Sequence, residues 1–196
     1  MVRDKPLHNF LFETDPTGFY DELYCGPTPW INVCVLLHLV RRYQPTRFLE
    51  VGSHRGHTTR ILADKFPSMA IVTVDPGDSI PVAARSPFQA NEYLPQDEVG
   101  ILVRECSNVA IHNSGFHDVD WGTERFNMIF IDGDHRAAAV FYDTQLALKL
   151  VTVPGVIIWH GYNCIKDVNI VLGQIKVPGT ICSITNTWIA YYDTHG

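Results

Sequence analysis

At 196 residues, with 46% hydrophobic residues and a formal net charge of −6, the chain is long enough for one domain with a sizeable core and carries no Lys/Arg cluster of the kind that neutralises nucleic-acid phosphates. No run of about 18 apolar residues occurs, so no membrane span is expected, and the polar start from Met1 to Lys5 lacks the apolar stretch of a secretory leader, which points to the cytoplasm. Cys25, Cys34, Cys106, Cys164 and Cys182 show no Cys-x-x-Cys spacing and indicate neither a zinc finger nor a disulfide scaffold.

In chain order, apolar positions at Ile31, Val35, Leu36 and Leu39 predict a helix from Pro29 to Arg42 that ends near Gln44-Pro45. A strand at 47–51 follows, then a helix at about 57–66 closed by Pro67, and a β-branched strand from Ala70 to Asp75. The polar stretch 76–98 is expected to act as a lid, partly helical from Phe88 to Leu94. Ile101 to Arg104 reads as a short strand, Phe126 to Ile131 as a stronger one, and Ala137 to Leu150 as a helix whose inward stripe runs through Val140, Phe141, Thr144, Leu148 and Val151. Val156 to Trp159 is a buried strand, Lys166 to Gly173 a short helix, and 180–184 with 187–192 a closing pair of strands. Strands alternating with helices imply an α/β fold with a mostly parallel sheet covered on both faces, and the short link between the last two strands requires one of them to run antiparallel. A single domain is expected over 1–196, with 1–44 a helical cover whose aromatics, Phe10, Phe12, Phe19, Tyr20, Tyr24 and Trp30, border an acceptor pocket or pack in the core.

Four clusters fall at the carboxyl ends of these strands, where open α/β sheets bind ligands. In the first, Glu50-Val51-Gly52-Ser53-His54-Arg55-Gly56, a strand runs through a glycine turn into a helix whose first N–H groups are available to acceptors. A dinucleotide fingerprint would need glycines at 52, 54 and 57, but His54 and His57 stand there. An acidic residue before Gly-x-x-x-Gly instead suits S-adenosylmethionine, whose amino group is cationic and which has no pyrophosphate; a tight turn without ligand is the plain alternative. Asp75, about twenty residues on, is placed either to reach ribose hydroxyls or to form a turn. The third cluster, Ile131-Asp132-Gly133-Asp134-His135, offers two carboxylates suited to a divalent metal or a general base, with Asp134 as a helix cap the simpler reading. The fourth, Trp159-His160-Gly161-Tyr162, contributes His160 as a base, a metal ligand or a packed histidine.

Taken together, Glu50-x-Gly52-x-x-x-Gly56, Val74-Asp75-Pro76, Ile131-Asp132-Gly133-Asp134-His135 and Pro154-Gly155-Val156-Ile157-Ile158-Trp159-His160-Gly161-Tyr162 resemble the class I S-adenosylmethionine-dependent methyltransferases. The resemblance covers about residues 45–193 and is strongest to a small subgroup similar to metal-dependent O-methyltransferases. It implies a Rossmann-like three-layer sandwich with a seven-stranded sheet and a reversed last strand. It further implies a cofactor site of Glu50, Gly52, Ser53, Gly56, Asp75, Cys106, Ser107 and Asp132, with Glu50 and Gly52 at the methionine end, Asp75 at the ribose and Cys106-Ser107 at the adenine. Related enzymes hold a divalent cation with the Asp closing strand four and an acidic or amide pair closing strand five. Asp132 and His160 are the ligands this chain retains; Gly161 supplies none, so Mg²⁺, which prefers oxygen donors, would be held weakly.

The reaction these residues imply is methyl transfer to a small acceptor, an oxygen by resemblance, with Asp134, His135 or His160 as the base. A cofactor-binding protein without catalysis and a nicotinamide-dependent oxidoreductase remain open, as does assembly into a homo-oligomer.

Overall fold

The computed structural model describes residues 2–6, 29–80 and 93–195. Their strands are β1 (Arg3–Lys5), β2 (Arg47–Val51), β3 (Ala70–Val74), β4 (Val109–His112), β5 (Phe126–Ile131), β6 (Val151–Trp159), β7 (Ile181–Ile184) and β8 (Ala190–Asp193); the helices are α1 (Trp30–Tyr43), α2 (His57–Lys65), α3 (Ala137–Leu150) and α4 (Lys166–Gln174). One sheet holds all eight strands in the order β1-β7-β8-β6-β5-β2-β3-β4. β8 alone runs antiparallel, between β6 and β7, while every other pairing is parallel.

Strand periodicity divides the core into two layers. Phe48, Ile71, Met128, Phe130, Val156 and Ile158 face α1 and α2, where Val33, Leu36, Leu39, Val40 and Leu62 meet them. The alternate residues, Leu49, Val51, Ile129, Ile131, Ile157 and Trp159, face α3 and α4 through Val140, Ala147, Val168 and Leu172. The result is the expected three-layer sandwich, with an eighth strand added at the edge: residues 3–5, read as part of a helical cover, pair with β7. Among the described residues no helix is long and apolar enough to cross a membrane.

Two elements differ from expectation. Ile101–Val103 is a 3₁₀ turn, not a strand, started by Gly100 at φ +61° and tied to the glycine turn by Gly100 N–H to His54 O and Leu102 N–H to Arg55 O. The strand lies instead at Val109–His112, a half-exposed edge strand whose alternation is too weak to stand out from sequence. In α3, Val140 and Thr144 face inward as expected, with Asp143, Ala147 and Leu150, but Phe141 turns outward. Phe10, Phe12, Phe19, Tyr20, Tyr24 and most of the proposed lid helix, 88–92, lie outside the described residues; Tyr93 and Leu94 are not helical.

The sheet changes direction at β2, which pairs with β3 on one side and β5 on the other. The chain therefore winds away in opposite senses from β2, and the turns after β2 and β5 part to leave a crevice beyond the strands' carboxyl ends.

Candidate active site

That crevice is a cavity of about 710 Å³ bordered by Glu50, Gly52, Ser53, Asp75, Asp132, Asp134, His135 and His160. It thus unites eight of the residues singled out in the sequence.

Glu50 forms its floor. The register pairs Glu50 with Thr73 on β3, and Thr73 Oγ1 donates to Glu50 Oε2 at 2.9 Å; Thr59, one turn into α2, donates to the same oxygen. Ser53 closes the network by hydrogen-bonding Thr73. The Glu50 carboxyl is 1% exposed and its pKa is pushed up to about 8, chiefly by burial, with the charges of Asp132 and Asp75 adding to the rise against the two threonine bonds. No Lys, Arg or His pairs with it among the described residues.

Asp75 ties two turns together: Oδ2 accepts His54 N–H at 2.7 Å and Oδ1 accepts Gly77 N–H at 2.8 Å. The turn-forming role and a place on the cavity wall therefore coexist.

Gly52 sits at φ +98°, and a Cβ there would lie 2.3 Å from the Asp132 carbonyl oxygen and 2.8 Å from Gly133 Cα. Glycine is demanded here by the neighbouring backbone, so the need is structural before any ligand arrives. Gly56, at φ +87° as the residue preceding α2, faces Val103 and does not border the cavity. Cys106 and Ser107 do not border the cavity either. They precede β4, at the rim opposite the cavity, because the strand begins at Val109; Cys106 packs against the core. Beyond β4, Gly115 and Phe116 border the cavity.

The other wall is built by β5 and β6. Ile131 pairs with Trp159, so the next residues, Asp132 and His160, stand side by side, with His160 Nδ1 2.7 Å from Asp132 Oδ1. His135 brings Nε2 to 3.5 Å from the same oxygen. Burial alone would raise the Asp132 carboxyl, but the imidazoles of His160 and His135 outweigh it and hold the group well below the usual carboxylate range. Asp134 does not join them: Arg136 binds it through its guanidinium, and its Oδ1 accepts Arg136 N–H at 2.9 Å in the turn leading to α3.

Asp132, His135 and His160 place ligand-type atoms within 4.8 Å of one another, which adds His135 to the pair expected as metal ligands. The set has one carboxylate and two imidazoles, and does not match the oxygen cage of Mg²⁺. Nor can a carboxylate be restored at Gly161, which lies at φ +83° and whose added Cβ would fall 2.8 Å from His135 Cδ2. His135 occupies the space a ligand at 161 would need.

Sequence reading missed Asn32. It is 1% exposed in the first turn of α1, and its Nδ2 lies 3.0 Å from His160 Nε2. A lone Asn in an apolar helical stripe is the signal that could have drawn attention to it.

A family model described as a methyltransferase domain matches residues 49–162, more than half of the chain. Among solved structures, the O-methyltransferase NovP is similar at 15% identity and a TM-score of 0.60, covering 83% of this chain and 77% of its own. The O-methyltransferase from Bacillus cereus in complex with SAH gives 16% and 0.55 over 95% and 90%. The O-methyltransferase TomG from Streptomyces achromogenes, involved in tomaymycin synthesis and in complex with SAM, gives 18% and 0.54 over 96% and 89%. At these identities the likeness is one of fold. A comparison with curated protein sequences returns no match.

Proposed function

This chain belongs to the class I S-adenosylmethionine-dependent methyltransferases, and from that premise we propose that it methylates an oxygen atom of a small cytoplasmic molecule, with Glu50 and Asp75 holding the cofactor and His135 serving the acceptor. The observation that carries the cofactor assignment is Glu50: a carboxyl buried at the cavity floor, bonded by two hydroxyls on one oxygen, with no cation beside it among the described residues. A buried carboxylate left unpaired is costly, and the ammonium group of S-adenosylmethionine is the partner it lacks. Asp75 offers its remaining lone pairs to ribose hydroxyls, and Gly115-Phe116 border the part of the cavity that would take the adenine.

The bound cofactor supplies a methyl group already activated as a sulfonium. What the protein must add is alignment and, for a hydroxyl acceptor, removal of a proton. Of the three bases considered, Asp134 is engaged by Arg136 and His160 is buried with Asn32 and Asp132 on its two nitrogens. His135 remains, at the cavity wall with the ionised Asp132 beside it. Its imidazole takes the acceptor's proton, and Asp132 stabilises the imidazolium that results. No step is assigned to a metal, because the donor set does not suit the cation of the related enzymes.

The test is to incubate the protein with methyl-labelled S-adenosylmethionine and a panel of small hydroxylated compounds. Label should pass to an acceptor oxygen in wild type and fall sharply in His135→Ala. Tight cofactor binding with no transfer to any acceptor would favour a binding protein without catalysis.

A further inference from the structure

We infer that Asn32 is a positioning residue that fixes His160 as the Nδ1–H tautomer and thereby closes the Asp132–His135–His160 cluster to metal ions. Trp188 N–H donates to Asn32 Oδ1 at 3.1 Å, and a backbone N–H can only donate, so the amide oxygen of Asn32 must face Trp188. Its Nδ2 then faces His160 Nε2 at 3.0 Å. An amide NH₂ can only donate as well, so Nε2 accepts and carries no proton. The neutral ring must hold its proton on Nδ1.

The Nδ1 side of the ring is compatible with this tautomer. Nδ1 lies 2.7 Å from Asp132 Oδ1, an approach oblique to the ring's N–H direction. An anionic oxygen at that distance from a bare nitrogen lone pair would be repelled, and a proton on Nδ1 removes the repulsion. The same distance speaks against an ion between the two atoms. Ligands about 2.1 Å from a metal stand roughly 3.0–3.4 Å apart in octahedral or tetrahedral geometry, wider than the gap here.

To bind a metal, His160 would have to give up the Nδ1 proton and carry one on Nε2, where it would meet the Asn32 NH₂ group. Turning that amide over would satisfy Nε2–H but set two donors, Nδ2 and the Trp188 N–H, against each other. Asn32 thus converts a cluster with the composition of a two-histidine, one-carboxylate metal site into an internally paired one. The effect on the reaction follows: Asp132 stays an acceptor, ionised, and available to His135. This inference rests on the acceptor half of the proposed site, but its test uses neither cofactor nor turnover, so it can fail while methyl transfer stands.

The first measurement is the ¹⁵N–¹H correlation spectrum of the histidine side chains in wild-type protein, with the His160 signals assigned by their absence in His160→Gln. The expected pattern is a protonated Nδ1 and an unprotonated Nε2. The second is calorimetric titration with Zn²⁺ and with Mg²⁺. Wild type should show no stoichiometric binding that Asp132→Ala removes. Asn32→Asp, whose carboxylate accepts from both Trp188 N–H and Nε2–H, should release Nδ1 and tighten Zn²⁺ binding by on the order of 10–100-fold, a gain lost when Asp132→Ala is added. A wild-type His160 protonated at Nε2, or wild-type protein that binds Zn²⁺ through Asp132, would overturn the inference. So would a folded Asn32→Asp protein with no gain in Zn²⁺ affinity; if that variant does not fold, the wild-type spectrum and titration decide alone.

Discussion

The cavity wall under β2 and β3 takes its polar contacts from residues near in the chain, whereas the wall under β5 and β6 takes them from across the molecule. Glu50 is bonded by Thr59 and Thr73, 9 and 23 residues away, and Asp75 by His54 and Gly77, 21 and 2 away. On the other side Asn32 reaches His160 across 128 residues and Trp188 across 156. The two carboxyls differ in the same way: Glu50 is pushed up to about 8, chiefly by burial, while Asp132 is held low by two imidazoles. Environments that drive two acids apart mark a division of labour. One wall holds a carboxyl with no cation beside it among the described residues; on the other, two imidazoles flank the carboxylate.

Substitution at the point where the walls touch should damage both. Gly52→Val drives a side chain into the backbone of Asp132 and Gly133 at a positive φ, and thermal and denaturant melts should show a loss of at least about 4 kcal/mol, with cofactor binding lost as well. His135→Ala should separate the walls: turnover falls about 10²–10⁴-fold, while a cofactor titration stays within about twofold of wild type. A parallel fall in affinity would mean that His135 belongs to the cofactor wall. Asp75→Ala should cost about 2–3 kcal/mol of cofactor affinity with some loss of melting temperature, since the carboxylate also ties the 54 and 77 turns. The smallest effect is expected from chelation. EDTA should leave turnover unchanged, and a large loss restored by added Mg²⁺ would show that the β5–β6 wall is not self-sufficient.

The same contrast explains what could be read from sequence. The β2 and β5 strands, α3 and the Glu50–Gly52 turn were legible because each is a strong local pattern, an apolar run broken by a glycine or an acid. β4 was not, since an edge strand with a partly exposed face, Val109-Ala110-Ile111-His112, looks weaker than the apolar Ile101-Leu102-Val103 that Gly100 bends into a turn. Cys106 and Ser107, placed at the adenine by resemblance, precede that strand, whereas Gly115 and Phe116, beyond it, border the cavity. Gly52 and Gly56 looked equivalent in the motif, yet one abuts the Asp132 backbone and the other faces Val103. Asn32 stood out only as a lone polar residue in an apolar stripe, and its partners were out of reach, because they depend on a backbone amide at Trp188 that only the closed sheet brings near.

The most direct test of the account is the affinity for S-adenosylhomocysteine measured against pH in wild type and in Glu50→Gln. Glu50 has its folded pKa raised from 4.5 to about 8, so the ligand-free protein should lose stability as pH rises through that range, and Glu50→Gln should abolish the loss. Ligand binding runs the other way: the ammonium group favours the ionised carboxylate, so wild-type affinity should climb as pH approaches about 8, with a proton released on binding below it. Glu50→Gln should bind about 2–3 kcal/mol more weakly above that pH and show no climb. Equal affinity and equal pH dependence in the two proteins would contradict the assignment of Glu50 to the cofactor's amino group.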